Sequence, residues 1–224
     1  MDGITQRVQD IKCKLAGGNK FGEKVTLVAA TKMQNIEAIN EAILAGVDAV
    51  AENKAQEFRD KNDFLLPCPR HFIGHLQTNK VKYLIGKVEL FHSCDRREIA
   101  NEIARLSLKN GVVSNVLMQV NIGAEESKGG FLFEEAQEAF LQLLETDGLQ
   151  VKGFMAMLPE SNDESLLRQL TRKMRGLFEW GKDVSSEVAY LSMGMSDDFA
   201  DAIAEGSTMI RVGTAIFGAR NYNK

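Results

Sequence analysis

Eight short apolar runs recur along the chain at near-regular intervals, each closing on a polar, Gly or Met cluster and followed by a stretch with helical spacing. The first, VTLVAAT, leads directly into Lys32; the others are DAVAEN, RHFIG, VELFHS, NVLMQVN, GLQVKGFMAM, EVAYLSMG and TMIRVG. Strands alternating with helices build parallel sheets through right-handed crossovers, and eight such units in 224 residues is the number that closes a (β/α)8 barrel. An open doubly wound sheet is the alternative. Against it, no G-x-G-x-x-G follows the first strand, and the GGNKFG turn precedes that strand, where it cannot cradle a pyrophosphate. The expected fold is therefore α/β, a (β/α)8 TIM barrel with an extra N-terminal helix over 3–16, whose Ile4, Val8, Ile11 and Leu15 share one face.

The same periodicity predicts a first strand over 24–30 and helices over 35–45, 55–66, 79–85, 96–109, 133–145, 164–182 and 197–204. No Pro/Ser-rich or low-complexity linker divides the chain, so residues 1–224 read as one domain. A net charge of -4 offers no broad electrostatic footprint for nucleic acid. No segment approaches the roughly 18 consecutive apolar residues of a membrane span, and the N-terminus carries no signal-peptide core, so the cytoplasm is the expected location. Cys13, Cys68 and Cys94 fit neither a disulfide framework nor a zinc site. His71 and His75 are four apart, but HFIGH reads as a strand running into a loop, so no metal site is expected.

In a barrel of parallel strands the chemistry gathers at the carboxyl ends. Those ends carry Thr31-Lys32, Glu52-Asn53, Gly74-His75, His92-Ser93, Asn121, Met155 with Met157, Ser192 to Gly194, and Arg211 with Gly213-Thr214. A lysine after six small or apolar residues is either a rim residue reaching water or a partly desolvated amine able to condense with an aldehyde. Ser192, Gly194 and Ser196 offer hydroxyl and N–H groups to an anion, as do Gly213 and Thr214, although Ser196 and Asp197 are read first as caps of the helix that follows them. Arg211, two residues before Gly213, faces either a ligand in the barrel mouth or a carboxylate such as Glu52.

Taken together, ATK, ENKAQEF, HFIGHLQTNK, NIGAEESKGGF, GFMAM, LSMGMSDDFADAI and GSTMIRVGTAIFGAR resemble the pyridoxal-phosphate homeostasis proteins, small relatives of the alanine racemase barrel, from about Val25 to Arg220. The resemblance implies pyridoxal 5'-phosphate (PLP) bound as a Schiff base on Lys32. It implies Arg211 opposite the pyridine nitrogen, Asn53 near the cofactor, and the phosphate on Ser192, Gly213 and Thr214. Thr31 and Gln34 stand where the family commonly has Ser and a second Lys, and Lys128 is either a charge near the pocket or a solvated loop residue. The function implied is PLP homeostasis with little or no turnover; the alternative is a fold-type III PLP enzyme, a racemase or decarboxylase. Racemisation needs a second base opposite the first, and Tyr83, Tyr190 and Tyr222 supply no evident one, so no residue is assigned a catalytic role. Expected partners are PLP and PLP-dependent apoenzymes that receive it, with the chain a monomer or weak dimer.

Overall fold

The computed structural model describes residues 3–125, 127–159, 161 and 163–218, so Arg220 and Tyr222 lie outside the described residues. Its strands are β1 (Thr26–Ala30), β2 (Ala49–Glu52), β3 (Arg70–Phe72), β4 (Leu90–Cys94), β5 (Ser114–Asn121), β6 (Phe131–Leu132), β7 (Leu149–Ala156), β8 (Tyr190–Ser192) and β9 (Met209–Val212). All pairings are parallel, in the order β4-β3-β2-β1-β9-β8-β7-β5, and a β4–β5 pairing closes the ring. The result is a (β/α)8 barrel. The sequence pattern did not foresee β6, a two-residue strand beside Val120 and Asn121, where β5 runs past the last pairing of β4.

Side chains alternate across each strand, and that alternation sorts the core. Leu27 and Ala29 of β1, Val50 of β2, and Ile210 and Val212 of β9 pack outward against the helix layer. Val28, Ala49, Ala51, Leu90, Leu117, Met155 and Met209 fill the barrel. The expected extra helix is present as α1 (Ile4–Leu15), with Val8, Ile11 and Leu15 buried. It is fastened to the end of α2 (Ile36–Leu44), where Gln9 donates to the Ala45 carbonyl and Lys12 to that of Gly46. A cation at the carboxyl end of a helix also complements its dipole.

Several helices are shorter than periodicity predicts. The helix expected over 55–66 is α3 (Ala55–Lys61) followed by a 3-10 turn over Asn62–Phe64, and the one over 79–85 is α4 (Thr78–Val81) followed by turns. The rest of the ring comprises α5 (Arg97–Lys109), α6 (Ala136–Leu144), α7 (Glu164–Val184), α8 (Phe199–Ala204) and the short closing α9 (Thr214–Phe217). Among the described residues no helix is long and apolar enough to cross a membrane.

One glycine is required by strand geometry. Gly153 sits at φ 139° where the β5–β7 register shifts, and a Cβ there would lie 1.9 Å from the Tyr190 carbonyl oxygen on β8. Gly153→Ala is expected to cost about 3 kcal/mol, from backbone strain and a clash that only strand separation relieves. A urea unfolding midpoint equal to that of the unsubstituted chain would count against this account.

Candidate functional site

Lys32 lies in the turn after β1, half-buried, on the alternation that sends Val28 into the barrel. Gln34 N–H donates to the Thr31 carbonyl (3.0 Å), closing a β-turn in which Met33 adopts φ 63°, a conformation unusual for a residue with a side chain. Thr31 and Glu52 belong to the other face of the sheet. There the Thr31 hydroxyl donates to Glu52 Oε1 (2.7 Å), and Lys61 Nζ of α3 donates to the same oxygen (2.9 Å).

That division removes Glu52 as a partner for Arg211. Glu52 points outward to Lys61, whereas Arg211 points inward and is only 5% exposed. Its guanidinium donates to the Ser192 carbonyl (2.8 Å), the Ser192 hydroxyl (2.7 Å) and the Ala156 carbonyl (3.2 Å). Burial lowers the Arg211 pKa to about 10, which still leaves a cation at neutral pH. Ser192 is fully buried and its hydroxyl is shared between Arg211 and His92.

Two histidines extend this chain of hydrogen bonds, and the sequence reading assigned them no place in it. His92 Nδ1 is 3.2 Å from Ser192 Oγ, and His92 Nε2 is 3.0 Å from His71 Nδ1. Burial lowers the His71 pKa to about 4; burial, then the neighbouring His71 and Arg211, push that of His92 well below its usual value. Both rings are neutral at pH 7. One assignment gives every bridging proton an acceptor: the Ser192 hydroxyl accepts a hydrogen bond from Arg211 and donates one to His92 Nδ1, and His92 donates from Nε2 to His71 Nδ1. His75 instead leaves the barrel and meets Asp95 (3.0 Å), so the two members of HFIGH serve different surroundings. Among the described residues no group of three or more His, Cys, Asp or Glu is arranged to hold a metal ion.

At the mouth, Ser196 departs from its expected capping role. Its hydroxyl accepts from the backbone N–H groups of Gly213 (3.3 Å) and Ala215 (3.2 Å), spanning two βα corners, while Asp198 accepts from Met195 N–H within its own corner. Gly213 adjoins the lysine strand: a Cβ on it would lie 3.5 Å from the Ala30 carbonyl oxygen. Thr214 is exposed at the start of α9. Asn53 Oδ1 is buried without a hydrogen-bond partner, an arrangement that costs free energy unless a ligand donor completes it. Beside Asn53 opens a cleft of about 210 Å³, lined in part by Lys54, His75 and Lys80. Lys128 is not simply solvated: it donates to the Leu158 carbonyl (3.0 Å) and pairs with Glu125, tying two rim loops together. Tyr83 lies on the outside, within 6.0 Å of Arg59, and half-buried Tyr190 packs against the barrel interior.

A barrel with these strand ends defines a class. Residues 6–221 match the family described as alanine racemase, N-terminal domain. The chain is 42% identical to a pyridoxal phosphate homeostasis protein of Aquifex aeolicus, over 98% of this chain and 96% of that one. It is 36% identical to the protein of the same name in Escherichia coli strain K12, over the whole of both. It thus belongs to the pyridoxal phosphate homeostasis proteins. The structure of PipY of Synechococcus elongatus with PLP bound superposes with a TM-score of 0.84 at 28% identity, covering 96% of this chain and all of that one. An alanine racemase of Clostridium difficile shares the fold alone, at TM-score 0.78, 14% identity, and cover of 100% of this chain and 57% of that one.

The buried imidazoles give stability a defined pH dependence. Because the folded state holds the His71 pKa at about 4, below the unfolded value near 6.5, only the unfolded chain gains a proton as pH first drops below 6.5. Stability should fall from about pH 6.5 toward 4, by roughly 3 kcal/mol at most for this group. Glu23 and Glu205, whose pKa values are lowered to about 2, lose their contributions only below their unfolded value of about 4.5, so the range 6.5–5 isolates the histidines. Urea midpoints across that range should decline, and His71→Gln should flatten the decline; an equal slope in the variant would contradict the assignment.

Proposed function

We propose that the chain holds PLP as a Schiff base on Lys32 and serves PLP homeostasis in the cytoplasm, keeping the cofactor with little turnover and releasing it to PLP-dependent apoenzymes. The observation that supports this reading is that the turn bearing Lys32 and a corner whose N–H groups are gathered on one oxygen leave neighbouring strand ends. Ala29 of β1 pairs with Val212 of β9, so the turn bearing Lys32 and the corner bearing Gly213 begin side by side. The residues present fit the group. Ser196 holds its oxygen where a phosphate oxygen would receive the Gly213 and Ala215 N–H groups, Thr214 stands exposed at the same corner, and Asn53 Oδ1 lacks a donor.

When bound, PLP supplies an aldehyde for an amine and a ring able to delocalise charge. The chain's own contribution is to bind and to restrain. Arg211 remains a cation that can only donate, so opposite a pyridine nitrogen it would keep that nitrogen unprotonated and weaken the ring as an electron sink. Ser192 and the Ala156 carbonyl hold the guanidinium through three hydrogen bonds. These features favour holding the cofactor over using it. The test is to add PLP to the purified chain, record visible absorbance, reduce with borohydride and map the modified peptide. Lys32 should carry the adduct, and Lys32→Ala should lose both band and adduct while its stability changes by less than about 1 kcal/mol. A band that survives in the variant, or rapid racemisation of added alanine, would overturn the proposal.

A further inference from the structure

The two peptide groups that flank Lys32 are both held from outside the barrel by one ion pair on α3. Lys61 Nζ donates to the Thr31 carbonyl (3.3 Å), the group before Lys32, and Glu57 Oε2 accepts from Met33 N–H (2.9 Å), the group after it. Lys61 also joins Glu57 (2.8 Å) and Glu52 (2.9 Å), and Glu52 receives the Thr31 hydroxyl. The cluster is sheltered, with the Lys61 side chain 15% and the Glu52 side chain 5% exposed. We infer that Glu57 and Lys61 are positioning residues for Lys32: by fixing the carbonyl before it and the N–H after it, they set the direction in which its side chain leaves the backbone. The inference rests on Lys32 being the residue that carries PLP.

Three features give the clamp its reach. Met33 is held at φ 63°, a conformation of L residues that persists where surrounding bonds enforce it, and its N–H is bonded to Glu57. Both clamp residues lie one turn apart on α3, so a single helical face grips both ends of the turn. The pair stays ionised across the neutral range. Burial opposes this, but hydrogen bonds with Glu57 and Glu52 hold the Lys61 pKa above its usual value, and bonds from Lys61 and Met33 hold that of Glu57 below.

The clamp is tested on the chain without cofactor as well as with it. Acetic anhydride is added to the PLP-free protein across a pH series, and acetylation of Lys32 is read by peptide mass spectrometry; PLP retention is then measured by dialysis. In Lys61→Met the Lys32 acetylation profile should shift along the pH axis and PLP retention should fall about tenfold, because a misdirected amine loses its alignment with a bound aldehyde. Lys61→Arg, which restores a donor cation, should return both toward the parent values. A folded Lys61→Met protein with the parent profile and parent retention overturns the inference. Should that variant fail to fold, Glu57→Leu, which leaves Lys61 on Glu52, decides on the same readings. A parent chain that takes up no PLP at all sinks the proposed function instead, and the acetylation profile then decides the clamp by itself.

Discussion

A guanidinium inside a barrel of methyl groups is tolerable only if its charge is met by fixed acceptors. Arg211 is met by the Ser192 and Ala156 carbonyls and the Ser192 hydroxyl. Leaving a buried cation without such partners would cost several kcal/mol. The demand propagates: Ser192, having accepted from Arg211, must place its own proton, which draws in His92 and through it His71. Four strands, β3, β4, β8 and β9, are thereby joined through the barrel lumen by side chains. The polar layer is framed by small and apolar neighbours, Val28, Ala49, Ala51 and Leu117 among them, which leave room for two imidazoles without opening the barrel to water.

The alternation of a β-strand divides labour at the mouth. The inward position at the end of β9 carries Arg211, and the turns after β1 and β2 carry Lys32 and Asn53, the other groups proposed to meet a ligand. Outward positions carry the groups that brace them, Thr31 and Glu52, which answer to Lys61 on α3. Neighbours in sequence thus have separate tasks. A one-residue slip of β1 or β2 would exchange the two sets, and the paired registers Val28–Ala49, Ala29–Val50 and Ala30–Ala51 hold them apart. Rim loops add a third element: Lys128 bridges the loop after β5 to the Leu158 carbonyl.

Much of this was legible in the chain itself. Strand-helix alternation determined the barrel and the apolar face of 3–16 determined the extra helix, because each depends on a periodicity of a few residues; the position after VTLVAAT marked Lys32 as the residue proposed to carry PLP. Helix ends were read less well: the 55–66 pattern continues past Lys61, yet Asn62–Phe64 tighten into a 3-10 turn as the chain heads for β3. What only the tertiary structure decided is which polar groups meet. His92 and Ser192 stand a hundred residues apart, as His71 stands 21 from His92, and no local spacing links them. Ser196 looks like a cap for the helix just ahead of it, but its hydroxyl finds the N–H groups of Gly213 and Ala215 on the next corner. Periodicity tells a side chain which face to take; only closure of the ring brings strand ends from different parts of the chain within hydrogen-bond distance, and that choice of partner depends on distance in space.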